Sequence, residues 1–561
     1  MRARAGCILA TLTVIFSLSA GAYGQVVRPE PPGRERERFI EPAPPRAQPG
    51  GPAVILPSTE PPSGAAQIRI QIRDICIKGA TIYSKDQLAP LYADLVGQDV
   101  PLLAVYDLAK KITAKYGNDG YALSRAIVPP QQFAPHGAVP CLQVVEGYIE
   151  RVEWPAKLGR YRDFFTHYAA MITAERPANV HTIERYMLLA GDLPGLKFAT
   201  SLKPSPKTPG ASILVVEVTE KPFDFFGRGD NRGTYARGPA QFMMSGNANN
   251  LLGAHEQLNL TWASTTQMQE LQYYAAGYRQ VLTAEGLWAF VNASHAPSHP
   301  GTYALTSIEY KSLSDILEAG LAAPVVRTRE KNLTLTGLFY SNDSNATSFG
   351  QGLMLDRLRG FRFKADADWA DAWLGINQVN VTYSQGIDAL GAAAGNYDIP
   401  PSRARGVVDY GKIEASFSRT QALPARFSVF GSIYGQYAMN YLLAPEQCGY
   451  GGRFYGRAYD PSQILADQCV EAIAELRYDF VPFGQVSQIQ LYGFSDYGKL
   501  WRNLGTTDSF GLPIASAHAA SAGAGLRVGW LNYVNADFQV AKAVDGPRDD
   551  TRFFVVFTGR Y

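Results

Sequence analysis

From about Phe223 to Tyr561 the chain is a succession of short segments in which apolar and polar residues alternate. A period of two marks a β-strand whose faces meet different surroundings. In the last segment, TRFFVVFTGRY, Phe553, Val555, Phe557, Gly559 and Tyr561 share one face, and Phe554, Val556, Thr558 and Arg560 the other. In YVNADFQVA, Val534, Ala536, Phe538 and Val540 are expected to face lipid, and Asn535, Asp537 and Gln539 a lumen. KIEASFS puts Ile413, Ala415 and Phe417 on one face. A soluble sheet explains any one such strand. Many in series suit a barrel closed within a bilayer, apolar outside and wet inside, because closure leaves no backbone edge unpaired in hydrocarbon. A spanning strand takes about 9–11 residues and its connection about as many again, so the stretch after Pro222 has room for about 16 antiparallel transmembrane strands.

The amino terminus indicates which membrane. MRARAGCILATLTVIFSLSAGAYG carries Arg2 and Arg4, an apolar run from Cys7 to about Leu18, then the small residues Ala22 and Gly24. This is the layout of a secretory signal peptide, with cleavage expected between Gly24 and Gln25. The alternative, an anchoring helix, is disfavoured because the run is short for a bilayer. Export, barrel patterning and the lack of a later spanning run point to a bacterial outer membrane. The 31 Tyr and 27 Phe suit aromatic girdles. Lys plus Arg total 52 against 50 Asp plus Glu, which argues against a nucleic-acid partner.

Once Cys7 leaves with the signal, Cys76, Cys141, Cys448 and Cys469 remain. An oxidising periplasm permits disulfides. Proximity in sequence suggests Cys448 with Cys469 and Cys76 with Cys141; other pairings, and four separate buried thiols, stay open. No spacing resembles a zinc site, so no metal is expected.

Residues 25–66 are rich in proline and read as an extended linker with no core of its own. RERERF has the composition for a short helical turn or two, but a plain tether is the simpler reading than a folded plug. Next comes an α/β unit over residues 67–148. Ile68, Ile70 and Ile72 alternate as a strand, and Ser84 with Gln87 forms a capping box before DQLAPLYADLV. PLLAVYDLAKKITAKYG is a second helix, with Leu103, Leu108 and Ile112 on its apolar face and Gly117 at its end. YALSRAIV and CLQVVEG are strands. The order strand, helix, helix, strand, strand recurs over 149–221, in IERVEW, YRDFFTHYAAMIT, HTIERYMLLAGD, KFATSLKPS and ASILVVEVTEK. The barrel segment then occupies 222–561.

Several stretches resemble one family. YSKDQL, KITAKYGNDGYALSRAIVPPQ, VVEGYIERV and ERYMLLAGDLPG are similar to the paired POTRA domains of two-partner secretion transporters of the hemolysin activation/secretion type, in the POTRA-barrel superfamily. GDNRGTYARGPAQF and NANNLLGAHEQLNLTW resemble that family's first barrel strands, RFYGRAYDPSQILADQ its signature loop, and LYGFSDYGKLW its paired lumen strand. The resemblance covers about residue 67 to the end. It implies a transmembrane β-barrel preceded by two periplasmic POTRA domains, and export of a partner adhesin or hemolysin. POTRA sheet edges and helix–strand grooves would receive that client as an extended strand.

The resemblance also implies that a loop folds back into the barrel and that its arginine pairs with an acidic wall residue. Here the tripeptide is Arg457, Ala458 and Tyr459 after Gly456, and the wall motif is Phe494, Ser495, Asp496, Tyr497 and Gly498. A guanidinium–carboxylate pair of Arg457 with Asp496 is therefore expected, flanked by Tyr459, Phe494 and Gly498. Ala458 replaces the family's glycine, which matters if that position needs a positive φ. Phe557 and Tyr561 are expected to form a carboxy-terminal assembly signal read by the barrel assembly machinery, with outer-membrane lipid as a further partner.

Signals for other chemistry fail. Gly493, Gly498 and Lys499 have phosphate-loop spacing, but Leu500 stands where magnesium binding needs Ser or Thr. Pro297 separates His295 from His299, so no helix presents both to a metal. Arg228, Gly229 and Asp230 spell an adhesion-like tripeptide inside an expected strand or turn. No nucleophile elbow, catalytic residue or cofactor is indicated, and the chain does not read as an enzyme. The main alternative is an assembly factor that inserts other barrels, though two repeats are fewer than such factors usually carry. A nutrient porin would not need the two α/β modules.

Overall fold

A computed structural model describes residues 32–41, 43–49, 60–132, 137–208, 210–501 and 516–561. The expected signal peptide, its expected cleavage site and Cys7 lie outside the described residues. Among those residues no helix is long and apolar enough to cross a membrane.

The first described element is a short helix, α1 (Glu35–Phe39). Two α/β units follow. In the first, β1 (Cys76–Lys78) runs parallel to β3 (Cys141–Val145), and β2 (Arg125–Ile127) runs antiparallel to β3; helix α2 (Leu103–Asn118) covers the sheet. In the second, β4 (Tyr148–Glu153) is parallel to β6 (Ala211–Glu220) and β5 (Leu196–Pro204) antiparallel to it, with α3 (Phe165–Ala174) and α4 (Val180–Gly191). The two sheets share one topology, last strand central. Each unit buries its own core: Ile70, Ile112 and Leu142 in one, Ile149, Tyr168 and Leu214 in the other.

Local details depart from the sequence reading. The Ile68–Ile72 alternation does not supply the main sheet: Arg69–Gln71 pairs with Asp99–Pro101 in a separate ladder. Asp74 then turns the chain, accepting the Ile75 N–H at 2.8 Å, and Cys76–Lys78 joins the sheet instead. The capping box forms, with Ser84 and Gln87 reciprocally bonded at 3.3 and 3.0 Å. The helix it starts ends at Leu88, and two 3-10 turns replace the rest, because Pro90 lacks the N–H that an α-turn needs. The next helix runs past Gly117 to Asn118, and the positive φ falls at Gly120.

Sixteen strands, β7 (Phe223–Asp230) to β22 (Thr551–Arg560), close into one antiparallel barrel. The seam pairs β22 with β7 from Val556↔Asp230 to Arg560↔Phe226. Tyr561 and Phe225 then exchange backbone hydrogen bonds of 2.9 and 3.0 Å, so the carboxy-terminal residue completes the ring. The alternation reads out as expected: Phe538, Phe553, Phe557 and Tyr561 are exposed on the outer wall, while Gln539 and Phe554 are buried inside.

A disulfide joins Cys448 to Cys469. It ties the loop before β18 (Gln468–Asp479) to the wall. Cys76 and Cys141 are free thiols, so the second expected bridge is not made. They are register partners on β1 and β3, and a parallel ladder points both Cβ atoms out of the sheet at a spacing of about 4.8 Å, wider than the roughly 3.8 Å a disulfide prefers. Closing the 21-residue Cys448–Cys469 separation restrains the unfolded chain by about 3 kcal/mol. Cys448→Ser is therefore expected to lower the melting temperature in detergent by several degrees. Reductant should shift wild type the same way and leave the variant unmoved. Equal melting of oxidised wild type and variant would refute the bracing role.

Candidate functional site

The loop between β17 (Phe427–Ala438) and β18 folds into the barrel as a hairpin, with Cys448–Tyr450 paired to Ile464–Ala466. Gly451, Gly452 and Gly456 hold positive φ around its tip, which lets the backbone reverse within a narrow space. Ala458 is absent from the positive-φ positions and is fully buried, so its replacement of glycine costs no backbone strain.

Asp496 and Arg457 meet, but not as a guanidinium–carboxylate pair. Asp496, on β19 (Val486–Trp501), takes four donors: the Gly456 N–H at 3.1 Å, the Arg457 N–H at 3.2 Å, the Tyr450 hydroxyl at 2.5 Å and the Ser521 hydroxyl at 2.7 Å. The expected pair is corrected: the Arg457 guanidinium passes over the Phe494 ring, 4.7 Å from its centroid, and bonds Glu475 on β18 at 2.5 Å. The tip turns so tightly that its amides reach Asp496 first, and the long side chain carries on to the neighbouring strand. Glu475 faces Phe494 in register and is 1% exposed. It also receives Arg477 at 2.6 Å and Arg527 at 3.2 Å, so one carboxylate gathers three guanidinium groups.

The flanking residues have clear tasks. A Cβ on Gly498 would lie 2.3 Å from the Tyr450 ring, so glycine is what admits the hairpin to the wall. The Tyr459 hydroxyl donates to the Asp545 carbonyl. Sequence reasoning passed over Glu475, Tyr450 and Ser521. Glu475 had a signal: in CVEAIAELR, Glu471, Glu475 and Arg477 share the lumen parity.

A second occupant fills the lumen. The stretch read as a plain tether carries α1 inside the barrel. Glu35 pairs with Arg237 at 3.0 Å, both 1% exposed. Arg36 bonds Glu318 at 2.7 Å, and Phe39 packs on Tyr273 with ring centroids 5.1 Å apart. Arg34 donates to the Gln447 carbonyl and the Ser462 hydroxyl, which links the helix directly to the loop. The chain then leaves toward the α/β units: the Ala47 N–H bonds Asp368 at 2.6 Å and the Gln48 N–H the Arg329 carbonyl at 2.8 Å. Its prolines preclude a core of its own, but the lumen supplies one.

The second α/β unit is fastened to the barrel's turns. Asp192 holds Arg327 through two bonds of 2.7 and 2.9 Å. Glu285 accepts from Arg185 and Tyr186 at 3.0 Å each and contacts His167 at 3.2 Å. Burial pushes the Glu285 carboxyl up, but these hydrogen bonds outweigh it and hold it below the usual carboxylate range. His255, ringed by Tyr161, Phe164 and Phe165, contacts the Arg162 carbonyl at 2.7 Å.

The other candidates serve the wall. Gly493 to Lys499 lie within one continuous strand. Arg228 and Asp230 pair with each other at 2.9 Å. His295 contacts Asp315, and among the described residues no three His, Cys, Asp or Glu side chains are grouped to hold a metal.

Comparison with known proteins agrees with the fold. Residues 210–528 match the family model described as haemolysin secretion/activation protein ShlB/FhaC/HecB, and residues 70–147 match the POTRA domain, ShlB-type. The heme/hemopexin transporter protein HuxB of Haemophilus influenzae (strain 86-028NP) is 23% identical over 482 residues, covering 83% of this chain and 82% of that protein. The outer membrane transporter CdiB of Dickeya dadantii (strain 3937) is 22% identical, over 69% of this chain and 68% of its own. Among solved structures, CdiB from Escherichia coli superposes with a TM-score of 0.70 at 19% identity, covering 94% of this chain and 96% of that one.

Proposed function

Because this chain belongs to the haemolysin secretion/activation (ShlB/FhaC/HecB) family, we propose that it carries a secreted partner protein of the adhesin or hemolysin type from the periplasm, through its barrel, to the cell surface. The family is one of outer-membrane transporters, and its POTRA domains are periplasmic. The observation that carries the proposal is a closed barrel whose lumen is filled by two segments that are not wall, the loop around Arg457 and the helix α1. Ion pairs and hydrogen bonds hold both in place, alongside apolar packing of Phe39 on Tyr273 and of the loop's Tyr450 on Tyr459. Neither segment is a strand of the wall, so displacing them leaves the barrel closed.

The division that fits this task places a POTRA domain over 67–148, a second over 149–221 and the barrel over 222–561. The client enters as an extended strand added to a POTRA sheet edge, held by backbone hydrogen bonds and selected by alternate side chains. Among the described residues, sheet edges are unpaired at β1 in the first unit and at β4 and β5 in the second, while the Ala126 N–H at the edge of β2 is taken by the Thr113 hydroxyl. Movement uses no nucleotide; folding outside the cell makes it one-way. Phe557 and Tyr561, outward on the closing strand, serve as the signal for the barrel assembly machinery.

Arg457→Ala is expected to leave a folded, heat-modifiable barrel in the outer membrane, because Glu475 keeps Arg477 and Arg527. The export of the partner, measured as its amount in the culture medium, should fall. Wild-type export by this variant would refute the role given to the loop.

A further inference from the structure

The second α/β unit meets the barrel at the turns 250–255 and 282–287 and at the end of β12 (Lys311–Arg327). The contacts at Glu285 and Arg327 are partly exposed ion pairs, and pairs of that kind contribute little. The turn at 250–255, from the stretch NANNLLGAHEQ, is built differently. His255 is 0% exposed, and its φ of 58° lies in the left-handed region, which a residue other than glycine keeps only where its surroundings hold it there. Here they do. The Glu256 carboxylate accepts the Leu252 and Ala254 N–H groups at 2.6 and 3.0 Å. The His255 N–H bonds the Asn250 side chain at 2.9 Å, and its carbonyl accepts the Val281 N–H at 3.1 Å.

The imidazole of this rigid turn enters the second unit. Its ring centre lies 5.0 Å from that of Phe164, 6.0 Å from Tyr161 and 6.1 Å from Phe165. The Arg162 backbone clasps the turn from both sides: the His255 Nε2–H donates to its carbonyl at 2.7 Å, and its N–H donates to the Gly253 carbonyl at 2.6 Å. A Cβ on Gly253 would lie 3.0 Å from the Arg160 carbonyl, so the two surfaces already touch there.

We infer that His255 is the positioning residue of this joint: its imidazole, seated in the aromatic socket, sets the angle at which the second α/β unit stands beneath the barrel mouth. The neutral ring is the form that fits. Nδ1 is buried with no partner among the described residues, so a proton added there would find no acceptor. The carboxylates around it are committed, Glu256 to its own turn, Asp163 to the Phe165 and Thr166 N–H groups, and Glu220 to the Tyr161 hydroxyl. Arg162, over the Phe164 ring, and Arg160, over the Tyr161 ring, add only positive charge. Burial accordingly holds the imidazole below its ordinary value. The unit therefore docks fully above about pH 6.5, the value of a free histidine, and less firmly as the pH falls below it, because the released ring takes up the proton that the docked ring refuses. Glu285, held below the usual carboxylate range, stays charged through that interval. The placement of the unit is independent of the function proposed above; its effect on export rests on that function.

The test uses the full-length protein in detergent, with Cys76→Ser and Cys141→Ser, and spin labels at Lys203→Cys on β5 and Ala425→Cys in the turn before β17, both exposed positions. Pulsed electron spin resonance reads the distribution of distances between the labels. With His255 present it should be narrow at about pH 7.5 and broad at about pH 5.5. His255→Ala should be broad at both. His255→Gln keeps a donor for the Arg162 carbonyl but does not titrate; it should stay narrow at both, and serves if the alanine variant does not fold. Export of the partner should fall with His255→Ala and recover with His255→Gln. A narrow distribution for folded His255→Ala, indifference of the His255 protein to pH, a His255→Gln variant that still responds to acid, or normal export by a variant that has lost the fixed angle would each overturn the inference. Absence of any exported partner with His255 in place would count against the proposed function and leave the joint standing.

Discussion

Glu475→Gln is expected to be the most damaging single substitution in the lumen. The carboxylate is 1% exposed and answers Arg457, Arg477 and Arg527 together. Glutamine keeps the shape but removes the charge, which leaves three guanidinium groups close together in a confined space. Removing one partner from a buried ionic cluster costs about 3–5 kcal/mol. Asp496→Asn should cost less, because all four of its donors are neutral, an amide oxygen still accepts from the two on one side, the Tyr450 hydroxyl and the Gly456 N–H, and Tyr450 stays packed on Gly498. The measurement is loop position, read as protease access to the 451–459 stretch in folded barrels, with export of the partner alongside. Glu475→Gln should expose the loop and nearly abolish export, and Asp496→Asn should do both to a smaller degree. The reverse order would show that Asp496 is the true anchor.

Deleting residues 32–49 is expected to open the barrel. A helix with its side chains is about 10–12 Å across, and α1 sits in the lumen through Glu35–Arg237, Arg36–Glu318 and Phe39–Tyr273. Without it, channel conductance in planar bilayers should rise several-fold, while the barrel still forms. A milder version reverses two charges, Glu35→Arg with Arg36→Glu, which sets like charges against Arg237 and Glu318. That variant should flicker between closed and open levels, and restoring the pairs with Arg237→Glu and Glu318→Arg should return it toward the closed level. Unchanged conductance after the deletion would mean that the helix does not block the path. The variants also separate the two occupants, since Arg457→Ala alters the loop and leaves the Glu35 and Arg36 pairs in place.

What was legible in the sequence was what local periodicity encodes. The outward row of Phe553, Phe557 and Tyr561 follows from period two in a sheet with lipid on one side. The Ser84–Gln87 capping box follows from spacing alone. The repeat of two α/β units was legible because each buries its own core, so its hydrophobic pattern is complete within about 75 residues. Where a single residue altered the local rule, the reading slipped: Pro90 cut a helix short, and Asp74 moved the first sheet strand from Ile68–Ile72 to Cys76–Lys78.

The lumen was not legible in the same way. Glu35 and Arg237 are 202 residues apart, and Arg36 and Glu318 are 282 apart. No local pattern records such partners, because strand parity says only that a side chain faces inward, not which inward groups it meets. A motif could name Arg457 and Asp496 as neighbours. Whether the guanidinium or the backbone reached that carboxylate depended on how tightly the hairpin turned against Gly498. The chain by itself thus determined a wet-centred barrel behind two soluble modules, since alternation and repeat are properties of consecutive residues. The tertiary structure alone decided what plugs that barrel and which carboxylate holds the loop, since closing the ring is what brings distant charges into a shared, poorly solvated space where each must find a partner.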